Sequence, residues 1–359
     1  MSRFQHEIYK WYSIYKRDLP WRKTTDPYKI WISEIILQQT RVVQGINYYN
    51  RFIEVFPTVY DMANASEDEI LKLWQGLGYY TRARNLHFTS KVIVNNFNGV
   101  FPCNFETILT LKGIGSYTAA AIASIAFNLP HATVDGNISR VLCRFFGIST
   151  PIDSEKGRTE IQKIASDMIP ENNAGFHNQA LMEFGALQCT PKSPGCSFCP
   201  LMDNCYAANH NLTEQLPVKS KKIKQTTRYF YYYLIESKNS ILLDKRTNND
   251  IWKNLHQFPL VESDKELSDT EILNLQIPIS GNKVNIKSVS SVIKHILTHQ
   301  TIYARFIHVE TVPYNLNHSN FIPVNKKDIY KFAVPKLLEQ YLKKINYVSK
   351  QSYFSWECG

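Results

Sequence analysis

The chain has 359 residues, 44% of them hydrophobic, which is more than one core usually organises, since single cores stop growing near about 250–300 residues. Its formal charge of +10 makes nucleic acid the first partner to consider. The N-terminal stretch "MSRFQHEIYKWY" has no apolar signal core, and no uninterrupted apolar run reaches the ~18–20 residues that span a bilayer, so the sequence predicts a soluble, intracellular, two-domain protein with no membrane role.

From Phe4 to about Asn211 apolar residues recur every three and four positions, and segments stop at "FPTV", "GVFP", "NLPHA" and "GISTPID". This pattern predicts a helical domain over 1–212, built of about ten short helices. Its "WISEIILQQ" helix places Glu34 between Trp31 and Ile35. Apolar flanks disfavour the charged form of a carboxyl and raise its pKa; the alternative is a glutamate solvated at the helix surface. In "YYTRARNLHF" (79–88) basic residues alternate with aromatics, as a phosphate-tracking surface with stacking groups requires.

Residues 105–127 read as helix "FETILTL", turn "KGIG" and helix "SYTAAAIASIAF". Gly113 and Gly115 let the backbone approach a phosphate, and the free N–H groups opening the second helix offer an anion site. Alone, the motif reads more readily as an ordinary pair of helices than as an anion site. Asp135 in "TVDGN" reads as the N-cap of "GNISRVLCRFF".

Cys189, Cys196, Cys199 and Cys205 crowd into 189–205, with one close pair rather than the two paired knuckles common in structural zinc sites. The spacing therefore suits a [4Fe–4S] cluster better than zinc. Cys103 and Cys143 read as core residues and Cys358 as part of a frayed end.

The stretch "TEQLPVKSKKIKQTT" (213–227) is a basic linker. Beyond it, "RYFYYYLIES", "SILLDKR" and "IYARFIHVETV" read as strands, and "VPKLLEQYLKKI" (334–345) as a helix with Leu337, Leu338, Tyr341 and Leu342 on one face. Residues 228–359 should form an α+β domain.

Taken in order, "LPWR" (19–22), "WISEIILQQTRV" (31–42), "WQGLGYYTRARNL" (74–86), "LKGIGSYTA" (111–119), "VDGNISRVLCRFFG" (134–147) and "NQALMEFGALQCTPKSPGC" (178–196) resemble the iron–sulfur branch of the helix-hairpin-helix DNA glycosylases. Within it they are most similar to the family that removes adenine mispaired with 8-oxoguanine or guanine. The resemblance covers the helical domain nearly end to end. It extends to "DIWKNLHQFP" (250–259), which is similar to a Nudix-like 8-oxoguanine-recognition domain. No metal box of the Nudix hydrolases is present there, so this domain should read a base rather than hydrolyse a nucleotide.

The resemblance implies a multidomain enzyme of base-excision repair: an all-α helix-hairpin-helix glycosylase domain with an iron–sulfur loop, followed by the Nudix-like domain. It implies action as a monomer on duplex DNA containing A:8-oxoguanine or A:G, in the cytoplasm on the nucleoid. Glu34 is implied as general acid, Asp135 as the anion that steadies the cationic sugar, and Asn137 as its polar partner. Trp21, Arg22 and Gln179 are implied in the adenine pocket, and Gln39, Thr40, Leu77 and Tyr79 in the duplex near the opposite base. Tyr117 stands where related strand-cleaving enzymes carry a nucleophilic lysine, which implies a monofunctional glycosylase that uses water. Thr298 and His299, in "LTH" where the family commonly has Phe-Ser-His, are implied contacts to the oxidised base.

Overall fold

A computed structural model of the chain describes residues 2–220, 225–275, 284–311 and 321–347; Cys358 lies outside them. These residues form two compact units. The first comprises residues 1–65 and 84–222, the second 66–83 and 223–359. Sequence periodicity assigns 66–83 to the helical domain, because a helical pattern does not reveal which core the helix joins.

In the first unit the chain runs through α1 (Arg3–Tyr15), α2 (Pro27–Leu37), α3 (Val42–Val55) and α4 (Val59–Asn64). After α5 (Glu67–Trp74), which belongs to the second unit, come α6 (Thr81–Phe97), α7 (Phe105–Thr110), α8 (Ser116–Phe127), α9 (Gly136–Phe146), α10 (Glu155–Met168), α11 (Ala174–Leu187) and α12 (Tyr206–Asn209). Helices as short as α4 and α12 span too few turns to show a period. The capped ends are sharper. Asp26 caps α2 ahead of Pro27, and Asn128 and Gly147 close α8 and α9 in left-handed conformation.

Helix α8 is alanine-rich and buried from Thr118 to Ser124, so neighbours come close: a Cβ added to Gly175 of α11 would lie 2.7 Å from the Ser124 carbonyl oxygen. One core of this unit joins α1, α9, α10 and α11 through Ile8, Leu142, Ile161 and Phe184. Cys143 is buried in it, but Cys103 is exposed: it follows Pro102 in the coil leading to α7 and points outward.

The second unit is built on the strands β1 (Thr226–Ser237), β2 (Ser240–Lys245), β3 (His256–Gln257), β4 (Leu260–Ser263), β5 (Val284–Val289), β6 (Ile293–Ile296), β7 (Gln300–Thr311) and β8 (Ile322–Asn325). Strand β1 starts at Thr226, inside the stretch that composition marks as linker, because Thr226 and Thr227 already pair with Gln300 and Thr301. Strands β1 and β7 run parallel at the centre, and parallel pairs are normally covered on both faces. Here Phe230, Tyr232 and Leu234 face a core containing Leu337 and Tyr341 of α14 (Lys336–Lys344), while Tyr231, Tyr233 and Ile235 face Ile272 of α13 (Asp269–Leu273). Phe306 stacks on Tyr341 with ring centroids 3.7 Å apart.

Helix α5 is tied into this unit by polar contacts: Lys245 to Asp68 at 2.8 Å, Lys72 to the Phe332 carbonyl at 3.2 Å, and the Val334 amide to Gln75 at 3.4 Å.

Candidate active site

Helix α2 is apolar on nearly every side, and Trp31, Ile32, Ile35 and Ile36 are all buried. Glu34 is carried inward with them and is 8% exposed. Burial pushes its carboxyl up to about 7; a hydrogen bond from Tyr117 opposes the rise and the charge of Asp135 adds to it. The surface alternative for this glutamate is thereby excluded.

Tyr117, the second residue of α8, has its hydroxyl 3.2 Å from Met182 Sδ and within hydrogen-bonding reach of Glu34. With one proton to give, it favours the carboxylate, the stronger acceptor. Burial first, then the charges of Glu34 and Asp135, hold its pKa well above 10. It therefore remains a neutral donor.

Asp135 caps α9. Its Oδ1 accepts from the amides of Asn137 (2.9 Å) and Ile138 (2.7 Å), and its Oδ2 from Asn137 Nδ2 (2.7 Å). Burial raises its pKa, against the pull of these bonds and of Arg140. Arg140 also bonds Asn137 Oδ1 at 3.0 Å and the Gly185 and Cys189 carbonyls at 2.5 and 2.7 Å.

A second buried acid, unforeseen from the sequence, is Glu183 of α11. Its side chain is 1% exposed and receives both Arg17, from Nη2 at 2.5 Å, and Arg22, from Nη2 at 2.9 Å. Burial pushes its carboxyl up, but hydrogen bonds from Arg17 and then Arg22 outweigh this and hold it at about 2. Gln179, one turn earlier, accepts from the Tyr12 hydroxyl at 3.2 Å. The Arg22 guanidinium lies 5.5 Å from the centroid of the Tyr12 ring, and Trp21 meets Tyr49 edge-on at 5.4 Å.

Glu34, Tyr117, Asp135, Asn137, Glu183, Arg17, Arg22, Gln179 and Trp21 border one cavity of about 390 Å³ in the first unit. It gathers Trp21, Arg22, Glu34, Gln39, Thr40, Tyr117, Asp135, Asn137 and Gln179, so nine residues chosen from separate stretches of sequence meet in one place. Gln39 follows α2 in left-handed conformation, φ 56°, and is exposed.

The other candidates lie elsewhere. Gly113 turns the hairpin at φ 85°, with Asn85 directly beneath it: an added Cβ would sit 2.6 Å from Asn85 Cβ. Gly115 caps α8, and among the described residues beyond its chain neighbours no atom lies within 4 Å of an added Cβ. Leu77, Tyr79, Thr298 and His299 belong to the second unit. Leu77 is buried, Tyr79 is half exposed in left-handed conformation, and its hydroxyl is hydrogen-bonded to Thr298. Thr298 and His299 are exposed in the turn between β6 and β7, while Leu297 packs on the core beneath.

Cys189, Cys196, Cys199 and Cys205 line a second, small cavity of about 30 Å³ in the first unit. Arg144 stands beside it, with Nη1 at 3.4 Å from Cys189 Sγ and 2.7 Å from the Thr190 carbonyl. Among the described residues, no group of three or more His, Cys, Asp or Glu side chains converges as one metal ion requires.

Comparison with known proteins matches residues 32–167 to the HhH-GPD superfamily of base excision DNA repair proteins and residues 230–344 to the NUDIX domain. The solved structure of a thermostable thymine-DNA glycosylase superposes with a TM-score of 0.54 at 32% identity, covering 58% of this chain and 95% of that one. A non-covalent endonuclease III–DNA complex shares the fold, with a TM-score of 0.51 at 23% identity over 58% of this chain and 95% of its own. The human adenine DNA glycosylase is 40% identical over 60% of this chain and 41% of its own length. The adenine DNA glycosylase of Buchnera aphidicola subsp. Baizongia pistaciae (strain Bp) is 38% identical over 90% of this chain and 95% of its own. With a full-length relative at that identity and both of its domains matched, the chain belongs to the adenine DNA glycosylase family.

Proposed function

We propose that the chain, as a monomer, flips adenine out of duplex DNA where it is mispaired with 8-oxoguanine or guanine and hydrolyses its glycosidic bond, leaving an abasic site. The observation that carries this reading is the single cavity in which a protonatable Glu34 meets the Asp135 carboxylate. Breaking the bond to N9 needs a proton on the departing base and a negative charge beside the cationic sugar. Glu34, with a pKa near 7, supplies the proton, and Asp135 supplies the charge. Tyr117 offers no amine, so the sugar carbon is left to water and the strand stays uncut. Trp21, Arg22 and Gln179 hold the base.

The open face over Gly115 at the start of α8 suits a phosphate approached by backbone amides. Gln39, Thr40, Leu77 and Tyr79 attend the opposite strand, and Thr298 and His299 the oxidised base. Action on duplex DNA supports a site of work in the cytoplasm, on the nucleoid.

The four cysteines would hold a [4Fe–4S] cluster. Thiolates bound to different irons stand further apart than ligands of one ion, which fits four thiols that share a cavity without converging on a point. When bound, the cluster would cross-link the loop 189–205. Arg144 would offset its negative charge.

The test is release of free adenine, under single-turnover conditions, from duplexes pairing A with 8-oxoguanine, G, C or T. Release opposite the first two is expected. No release from any duplex would overturn the reading.

A further inference from the structure

Along the chain, residues 66–83 are flanked on both sides by the first unit, yet they pack with the second. They carry Leu77 and Tyr79, and both ends of their helix, α5, are gripped. At its start Glu67 accepts a hydrogen bond from Asn254 Nδ2, and Asp68 pairs with Lys245 Nζ at 2.8 Å. At its end Lys72 Nζ reaches the Phe332 carbonyl at 3.2 Å and Gln75 Oε1 at 3.0 Å, and the Val334 amide donates to the same Gln75 oxygen at 3.4 Å. An exposed ion pair such as Lys245–Asp68 contributes little alone. Asn254 is more telling. It stands in left-handed conformation, φ 66°, where glycine is the least costly residue and asparagine is among the next. What the asparagine adds is the amide that reaches Glu67.

Beyond α5 the chain is wound back onto the helix. Gly76 (φ 99°), Gly78 (φ 76°) and Tyr79 (φ 48°) are all left-handed, and an aromatic residue keeps that conformation only where its surroundings over-determine it. Here the Gly78 carbonyl accepts from Trp74 Nε1 at 3.0 Å and from Arg82 Nη2 at 3.2 Å, while the Gly76 amide donates to the Tyr80 hydroxyl at 3.3 Å. The Arg82 guanidinium lies 4.9 Å from the centroid of the Trp74 ring and 5.7 Å from that of Tyr79. Tyr79 is thereby tied to Trp74, the last residue of α5, and moves with it. The second unit holds Tyr79 twice, through α5 and through the hydrogen bond of its hydroxyl to Thr298.

We infer that Asn254 is a positioning residue for lesion selection: by anchoring Glu67 it sets where α5 presents Tyr79 to the base opposite the adenine. A misplaced ring still stacks, because every base offers a π-face, but it loses the fit that tells 8-oxoguanine from guanine. The inference rests on the proposed function, since it takes Tyr79 and Thr298 as contacts to the opposite strand.

The experiment measures single-turnover adenine release from A:8-oxoguanine and A:G duplexes by the full-length parent and by Asn254→Gly, Glu67→Ala and Glu67→Gln. Asn254→Gly suits the left-handed backbone and removes the amide, whereas Glu67→Gln keeps an oxygen for Asn254. The preference for A:8-oxoguanine should fall by about threefold to tenfold in Asn254→Gly and in Glu67→Ala, and should hold in Glu67→Gln. In a Tyr79→Asn background, chosen because asparagine accepts the left-handed conformation, adding Asn254→Gly should leave the ratio where it is.

A purely structural role for Asn254 would lower both rates together and leave their ratio alone. An unchanged ratio in folded Asn254→Gly therefore overturns the inference; if that variant does not fold, an unchanged ratio in Glu67→Ala does so. An equal loss in Glu67→Gln also overturns it, because the bond to Asn254 is then not the cause. So does a further loss in the Tyr79→Asn background, because the effect then does not run through Tyr79. A parent that releases no adenine at all would instead defeat the proposed function, and this inference with it.

Discussion

Two glutamates border the same cavity, both almost wholly buried, and they differ by about five pH units: Glu34 near 7 and Glu183 near 2. Burial alone would push both up. Glu34 meets a tyrosine hydroxyl and another carboxylate, and stays protonatable at neutral pH. Glu183 meets two guanidinium forks, and stays charged. The partner rather than the depth decides what a buried acid does, and one cavity thereby acquires a proton donor on one side and a rigid, ionised wall on the other.

The largest test removes the donor. Glu34→Gln keeps the shape but cannot give a proton, so single-turnover adenine release should fall by about 10²–10⁴-fold while binding to lesion duplex is retained. Release at the parent rate would end the general-acid assignment. In the parent, the same assignment makes the rate decline as pH rises through about 7, where Glu34 ionises.

Stability should separate the two acids by sign. The folded-state pKa of Glu34 is raised, so the parent loses stability as pH climbs from about 4.5 to about 7. Glu34→Gln should therefore be the more stable protein above pH 7, by about 3 kcal/mol. The pKa of Glu183 is depressed, so its contribution is present above about 4.5 and is lost as pH falls through about 2. Glu183→Gln should be the less stable protein near neutral pH, by about 3 kcal/mol or more, and the gap should close in acid. Denaturant titrations at a series of pH values would reveal it; two variants shifting in the same direction would contradict the contrast.

A smaller effect is expected from Tyr117→Lys. Placing an amine beside Glu34 and Asp135 should add slow strand cleavage, faster at higher pH because only the neutral amine attacks, with a borohydride-trapped adduct absent from the parent. No adduct from a folded variant that still releases adenine would mean that position 117 does not face the sugar. The smallest effect lies away from the cavity altogether. Thr298→Ala should lower the preference for A:8-oxoguanine over A:G by only a few-fold, with excision from either duplex little changed, as rate ratios on the two substrates would show.

Glu183 also shows where sequence reading stops. It sits in "LMEFGAL" among apolar neighbours, much as Glu34 sits in "WISEIIL". The reasoning that raised the pKa of Glu34 would have raised that of Glu183 too, in the wrong direction, because its arginines lie 166 and 161 residues away along the chain. What was legible was local. The start of α8 after Gly115 and of α9 after Asp135 can be read from a glycine turn and a capping residue. The aromatic and β-branched run in "RYFYYYLIES" marks a strand, but the elements that cover its two faces, α13 and α14, are not placed by local patterning. For the same reason α5 reads as one more helix of the first domain, although Asp68, Lys72 and Gln75 bond to residues of the second unit.

The cap on α9 has a consequence for how this protein tolerates change. Asp135 holds the first turn of a helix with the side chain that also borders the cavity, so fold and chemistry draw on one residue. Asparagine caps a helix about as well as aspartate, whereas alanine does not. Replacements at 135 thus fall into two classes: those that silence a well-folded protein, and those that weaken its fold as well. A selection for foldedness alone would pass the first class and discard the second. Drift at this position would therefore accumulate inactive proteins whose stability gives no warning of the loss.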